Sequence, residues 1–473
     1  QAVEVTKLSL LLKVLEKETE ATIQRELFAK QRALPDLADN IKCGNSLIGP
    51  DFYQGRTEEL FDEDSAYRIN AFDWKSEFRR IVVAGGFAAV IGNPPWGQKA
   101  VEDDECIKLY VRTRYPSTAG IYDIFRPFVE KGVRLLADCG KFGLVLPDIV
   151  LLKDYPETRK FILQELCLEA IDWWGMAFAD AVIDAATIVG ARSSCSHTHN
   201  VRVGVHDPDS PLHHQIPQSD FLDNPRFVFN LYLTPEKRRI LDGLNSNRRL
   251  GELFEIHEGV HSGNIRNELF VDEQLDDTCQ ELLFGRDEIA PYCLRWNGKF
   301  IRLASMPAKR TRQRYANIGQ ISWHLREKIL VRRTGDYVLS AVDQVGRFAS
   351  NNFFLVFPRE ATQLTLHGLC ALLNSRFMTW YFRTIEPRRG RVFAELKIKH
   401  LETFPIPDFS RYHTHVSALN KLGFERSQLA EAMASTPQDY SRQKRACATL
   451  DQQIEHAVRE SLGISHADSV FEH

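Results

Sequence analysis

The sequence predicts an α/β fold: a sheet with helices on both faces, followed by a mixed α+β domain. Three observations carry this. Short apolar runs alternate with helix-period segments from residue 1 to about 200, the pattern of strands covered on both sides. The second half holds strand-like runs of its own. Charge also divides the chain: Arg295–Arg347 holds twelve Lys and Arg against three Asp and Glu, whereas the whole chain has a formal charge of −3.

Val5, Leu8, Leu11, Leu12 and Leu15 share one helical stripe. Asn40–Gly49, NIKCGNSLIG, reads as a short strand ending in small and polar residues, and Pro50–Asp64 as a charged loop. Ala71–Val83 reads as helix and Phe87–Ile91 as strand. Tyr122–Asp148 reads as a helix, a turn at Asp138–Gly140 and a buried strand, Lys141–Leu146. Phe161–Leu168 is expected to be helical, and Ala185–Arg192 to be another buried strand. From Ser193 to about Pro235 the richness in Pro, His, Asp and Asn marks a connector. Beyond it, Gly346–Phe354 reads as a hairpin, Asn352–Phe357 as strand and Leu366–Ile385 as one helix. The residues after Ser410 read as a polar, peripheral helical tail. The expected divisions are 1–200, a connector at 201–245, 246–410 and a tail at 411–473.

With 473 residues, 44% of them hydrophobic and 26% charged, the chain has material for a large core. No apolar run reaches the roughly 18 residues of a membrane span, so no membrane partner is expected. Nine cysteines are scattered without close disulfide or zinc spacing, which fits a reducing, cytoplasmic setting. Cys195–His199, CSHTH, and His213–His214 match no zinc pattern, so no metal is expected. Glu395-Leu-Lys397 lacks the further carboxylates of a nuclease site. Trp173 and Trp174 read as packing residues. The chain opens at Gln1 directly in helix-period sequence, and we expect an N-terminal part to precede it.

The most informative stretch is FAAVIGNPPWGQ, Phe87–Gln98. Ligands of open α/β sheets bind beyond the carboxyl ends of strands, where Asn93 falls. Pro94 holds Asn93 out of the helical region. Pro94 and Pro95 have fixed φ and no N–H. The motif therefore presents acceptors, the Asn93 side-chain oxygen and the Pro94 carbonyl, beside the flat face of Trp96. Two converging acceptors next to an aromatic plane suit an exocyclic amine on a planar ring. Accepting both amine hydrogens draws the lone pair out of the ring and makes the nitrogen a better nucleophile. That is catalysis by positioning and electrostatics. Read alone, the same residues also describe a rigid turn.

Here the sequence resembles adenine-specific (N6) DNA methyltransferases of the gamma arrangement, of the type IIG restriction–modification and phage-exclusion kind. IGNPPW, Ile91–Trp96, is similar to that family's catalytic Asn/Asp-Pro-Pro-aromatic motif, which assigns Asn93, Pro94, Pro95 and Trp96. KCGNSLIG, Lys42–Gly49, resembles the segment facing the adenine of S-adenosylmethionine, which assigns Asn45 and Ser46, with Asn93, to the cofactor. MAFADAVIDAATIVG, Met176–Gly190, resembles the last catalytic motif, whose aromatic, Phe178, stacks with Trp96 on an extruded target base. Leu250–Asn264, LLNSRFMTWYFRTI and Lys397–Pro407 resemble a target-recognition domain.

The resemblance implies a Rossmann-like methyltransferase sheet that is truncated, because the family's Gly-rich cofactor loop and acidic ribose ligand have no match upstream of Asn45. It implies S-adenosyl-L-methionine as cofactor and double-stranded DNA as partner, with a restriction subunit or the missing N-terminal part as further partners. The base would be flipped out of the duplex. The basic second half would supply grip through Lys309, Arg310, Arg312 and Arg314, Arg332 and Arg333, and Arg388, Arg389 and Arg391. Two alternatives stay open: a non-catalytic DNA-specificity module working with a partner, and methyl transfer to protein glutamine or RNA guanine.

Overall fold

The computed structural model describes residues 2–15, 37–54, 67–97, 105–176, 184–208, 211–307, 309, 311–335, 337–386, 395–435 and 440–464. It forms two compact units, Gln1–Leu231 and Tyr232–His473.

In the first unit, helix α1 (Ala2–Leu15) follows the predicted stripe, yet Val5, Leu8 and Leu12 are exposed. Asn40–Gly49 is not a strand. It turns, because the Asn45 Oδ1 accepts the Leu47 N–H at 3.2 Å, and its one ladder contact is a parallel bridge from Asn45 to Ala71. The helix expected over Ala71–Val83 is two short pieces, Trp74–Glu77 and Arg79–Val83. Then come β1 (Phe87–Gly92), α2 (Glu105–Arg114), α3 (Phe125–Leu135) and β2 (Leu136–Pro147). The turn expected at Asp138–Gly140 is an irregularity inside β2, with Cys139 at φ +61°. Helix α4 (Pro156–Glu165) ends earlier than predicted, because β3 (Cys167–Gly175) begins at once. The unit continues with β4 (Ala185–Ala191), β5 (Asn200–Val205), β6 (Leu212–Pro217) and α5 (Gln218–Asp223).

The strands form one mixed sheet in the order β1-β2-β4-β3-β5-β6. β1 is parallel to β2 and β3 to β5, while β4 and β6 run antiparallel to their neighbours. The mixed α/β class is therefore as expected, with two corrections. First, the segment expected to be a connector carries β5 and β6. Val201, Val203 and Ile216 alternate into the core, a two-residue period hidden among the polar residues. Second, burial also alternates along the inner strands, so that among the described residues one face is packed and the other partly exposed. Phe142, Leu144, Leu146, Ile171, Ile188 and Val203 are buried on the side where α3 and α4 pack. On the other side Ile91 is 84% exposed, and Lys141, Trp174 and Arg202 are also exposed. Among the described residues, β1 pairs through one edge.

The cysteine expectation is also corrected. Cys167 and Cys195, 28 residues apart, form a disulfide because β4 folds back between them and returns the chain to the start of β3. Among the described residues, no helix is long and apolar enough to cross a membrane.

The second unit centres on a four-stranded antiparallel sheet of β7 (Phe254–Glu258), β8 (Lys328–Arg332), β9 (Ser340–Asp343) and β10 (Phe353–Pro358), in the order β9-β8-β10-β7. The expected hairpin at Gly346–Phe354 is not one. Phe348–Ala349 pairs with Cys279–Leu283 in another sheet, while β10 pairs with β8. The helix expected over Leu366–Ile385 breaks into α6 (Leu366–Asn374) and α7 (Arg376–Ile385), because the Ser375 side chain accepts the Met378 N–H and starts a new helix. The tail is α8 (Phe409–Ser435) and α9 (Tyr440–Leu462). It is not peripheral: Val416, Leu419, Ile454, Val458 and Leu462 lie in the same buried cluster as Phe254 and Leu369.

Candidate functional site

Asn93 is exposed at the carboxyl end of β1, and its side chain makes no hydrogen bond among the described residues. Pro94 is buried, Pro95 exposed and Trp96 half-buried. The next residue, Gly97, has φ +117°, which a side chain would strain, although a Cβ there would meet nothing within 4 Å. Both sides of Gly97 are tied. Its N–H donates to Asp123 Oδ1 at 3.1 Å, and its carbonyl accepts the Ile124 N–H at 3.2 Å.

The Asn45–Gly49 segment rests on the same framework. Tyr115 Oη donates to the Leu47 carbonyl at 2.8 Å, and Leu47 and Ile124 share one buried cluster. Trp74 Nε1 donates to the Ser46 carbonyl at 3.1 Å, and its ring packs edge-on against Phe87 at the start of β1. The Asn45 oxygen is occupied by Leu47, which leaves its NH2 and the Ser46 hydroxyl as donors. Lys131 Nζ lies 5.4 Å from the Trp74 ring centroid, and burial, reinforced by Arg114 and Arg134, lowers its pKa to about 8.

Beneath this lies a web around two buried arginines. Arg126 donates to the carbonyls of Ser117, Thr118 and Ala119 and to Thr158 Oγ1. Arg159 donates to the carbonyls of Val150, Lys153 and Arg226. Burial lowers both guanidinium pKa values to about 10. Asp123, Gly97 and Tyr155 drew no notice in the sequence. The only signal was an acidic residue just before a helix, too common to single out.

Trp174, read as packing, is 42% exposed and stacks on His206 with centroids 3.8 Å apart. His206 Nε2 lies 3.0 Å from Asp172 Oδ1. Gly204 leaves room for that pair, since a Cβ there would fall 2.1 Å from Asp172 Oδ1. Phe178 lies outside the described residues.

In the second unit the basic residues differ in their engagement. Lys309 and Arg312 are exposed. Arg314 pairs with Glu268 at 2.6 Å and also donates to the Ser305 carbonyl. Arg332 packs its guanidinium over Tyr337, 4.6 Å from the ring centroid. Arg333 bridges Glu258 and Glu395. Arg310, Arg388, Arg389 and Arg391 lie outside the described residues.

Two family models match the chain in succession: the Eco57I restriction-modification methylase over residues 1–175, and the TaqI-like C-terminal specificity domain over residues 280–406. The type II restriction enzyme and methyltransferase RM.Eco57I of Escherichia coli is 28% identical over 172 residues, 35% of this chain and 15% of its own length. The type II methyltransferase M.BstVI of Geobacillus stearothermophilus is 35% identical over 77 residues, 16% of this chain and 14% of its own. Among solved structures, the type IIL restriction-modification enzyme MmeI in complex with DNA matches with a TM-score of 0.56 at 11% identity, over 85% of this chain and 57% of that one. That likeness is one of fold. The matches thus span a small part of these two curated relatives and just over half of the solved one. Residues 1–175 are thus similar to methylases of the Eco57I restriction–modification type, and residues 280–406 to specificity domains of the TaqI-like type.

Proposed function

We propose that the chain acts in a restriction–modification or phage-defence system, methylating N6 of an adenine rotated out of duplex DNA. The observation that carries this is Asn93: an exposed amide without a hydrogen-bond partner among the described residues, at the carboxyl end of a sheet strand, followed directly by a proline carbonyl. Extrusion costs a few kcal/mol of unstacking. The flipped amine would donate one hydrogen to Asn93 Oδ1 and the other to the Pro94 carbonyl. Trp96 would stack on one face of the base and Phe178 on the other.

S-adenosyl-L-methionine supplies the electrophilic methyl group. Asn45 and Ser46 fit its adenine side, with an NH2 and a hydroxyl left as donors. The sequence has no Gly-rich loop upstream of Asn45 to complete that cradle. We assign the complement to a partner subunit, a reading supported by the pairing of β1 through one edge among the described residues and by the exposure of Ile91.

The test is to incubate the protein with duplex DNA and labelled S-adenosylmethionine, then digest to nucleosides. N6-methyladenine is the expected product. Label on cytosine, RNA or protein would overturn the assignment. The half-furnished cofactor site favours a second reading, a DNA-specificity module without catalysis. Micromolar binding of S-adenosylmethionine in calorimetry would exclude it.

For DNA contact, the exposed Lys309 and Arg312 are the best-placed described cations. Replacing both by alanine is expected to weaken binding uniformly across sequences and to flatten the slope of log K against log salt by about 2. Arg333→Ala, which breaks an internal bridge, is expected to lower stability and leave that slope within about 0.5.

A further inference from the structure

We propose that Asp123 is a positioning residue that fixes the direction of the Asn93 amide by holding Gly97; this rests on the methyl-transfer reading above. Asp123 is 2% exposed. Its Oδ1 accepts the Gly97 N–H at 3.1 Å, and its Oδ2 accepts the Tyr155 hydroxyl at 3.2 Å. Tyr155 is fully buried, and burial together with the adjacent Asp123 carboxylate raises its pKa, so the hydroxyl stays protonated and donates. Behind the Tyr155 ring, 4.7 Å from its centroid, sits the Arg126 guanidinium, held by backbone carbonyls. The carboxylate is thus set in a rigid frame on one side and grips the loop on the other.

The loop transmits that grip. At its near end Gly92 is fixed in the sheet opposite Leu144, and at its far end Gly97 is fixed by Asp123 and Ile124. Of the four residues between, Pro94 and Pro95 have locked φ. With both ends pinned and the middle stiff, the orientation of Asn93 follows. A backbone N–H can only donate, so Asp123 Oδ1 must accept from Gly97.

The experiment compares Asp123→Ala, Asp123→Asn and Tyr155→Phe in the full chain, reading kcat, KM for DNA, and hydrogen exchange of the Gly97 amide by mass spectrometry. Asp123→Ala is expected to lower kcat about 10–100-fold, the loss for a buried charge-assisted hydrogen bond, with KM within about threefold. The Gly97 amide should exchange at least about tenfold faster. Asp123→Asn, which keeps an acceptor for Gly97, should recover most of the rate, and Tyr155→Phe should fall between. In an Asn93→Ala background, Asp123→Ala should cost nothing further. An unchanged kcat, a loss confined to KM, or full additivity with Asn93→Ala overturns the proposal. If Asp123→Ala does not fold, the other two variants decide by the same measures. If the unaltered protein transfers no methyl group, the function reading fails, and Gly97 exchange alone decides whether Asp123 holds the loop.

Discussion

Asn93→Ala is expected to lower methyl transfer to DNA by about 10²–10³-fold, the range for removing one preorganised polar group that meets developing charge. DNA affinity should stay within a few-fold, because the second unit carries the net positive charge, with 34 Lys and Arg against 29 Asp and Glu, whereas the first has 26 against 34. The reason is chemical rather than steric. The target nitrogen is poorly nucleophilic while its lone pair is shared with the ring, and Asn93 withdraws that sharing only as the new bond forms. Asn93→Asp keeps the acceptor and the shape, and should retain more activity than the alanine variant. The measurement is single-turnover methylation beside a binding isotherm at fixed salt. Loss of binding with Asn93→Ala would recast the residue as structural.

The largest effect on stability is expected from Asp343→Ala. Lys328 and Asp343 are fully buried and paired at 2.6 Å. Removing one member of such a pair leaves a buried charge alone and costs about 3–5 kcal/mol. Asp343 also accepts the backbone N–H of Arg347 at 2.8 Å and of Val345 at 3.3 Å, so its loss removes an acceptor from three donors. Lys328→Met should cost less. Lys328→Met with Asp343→Leu should recover much of the deficit, since an apolar pair carries no desolvation penalty. Urea unfolding of the second unit measures all three. Equal stability of Asp343→Ala and the unaltered protein would sink the argument.

The sequence made some of this legible and hid the rest for identifiable reasons. β1, β4 and β10 were readable because each is a short run of branched or aromatic apolar residues. β5 and β6 were not, because His, Arg and Gln occupy their outward positions and drown a two-residue period in polar composition. Asn40–Gly49 misled in the opposite sense: its apolar residues are buried by α2 and its neighbours, without a ladder. In the candidate site, the Asn93 motif announced itself through two prolines whose backbone effect is local. Asp123 did not, because its role depends on a contact 26 residues back along the chain. The cations divided the same way. Sequence shows charge density, but not that Arg333 is already engaged by Glu258 and Glu395.

The burial of α8 and α9 among the second unit's core residues has a consequence for biosynthesis. Asn247, near the start of that unit, donates its amide to the carbonyl of Leu462, 215 residues later. Its apolar interior therefore cannot close on residues 232–415 alone. It must wait for residues 416–462 to emerge, holding Phe254, Leu369 and their neighbours exposed meanwhile. A stalled or prematurely ended translation product would present that unfinished surface to chaperones and proteases.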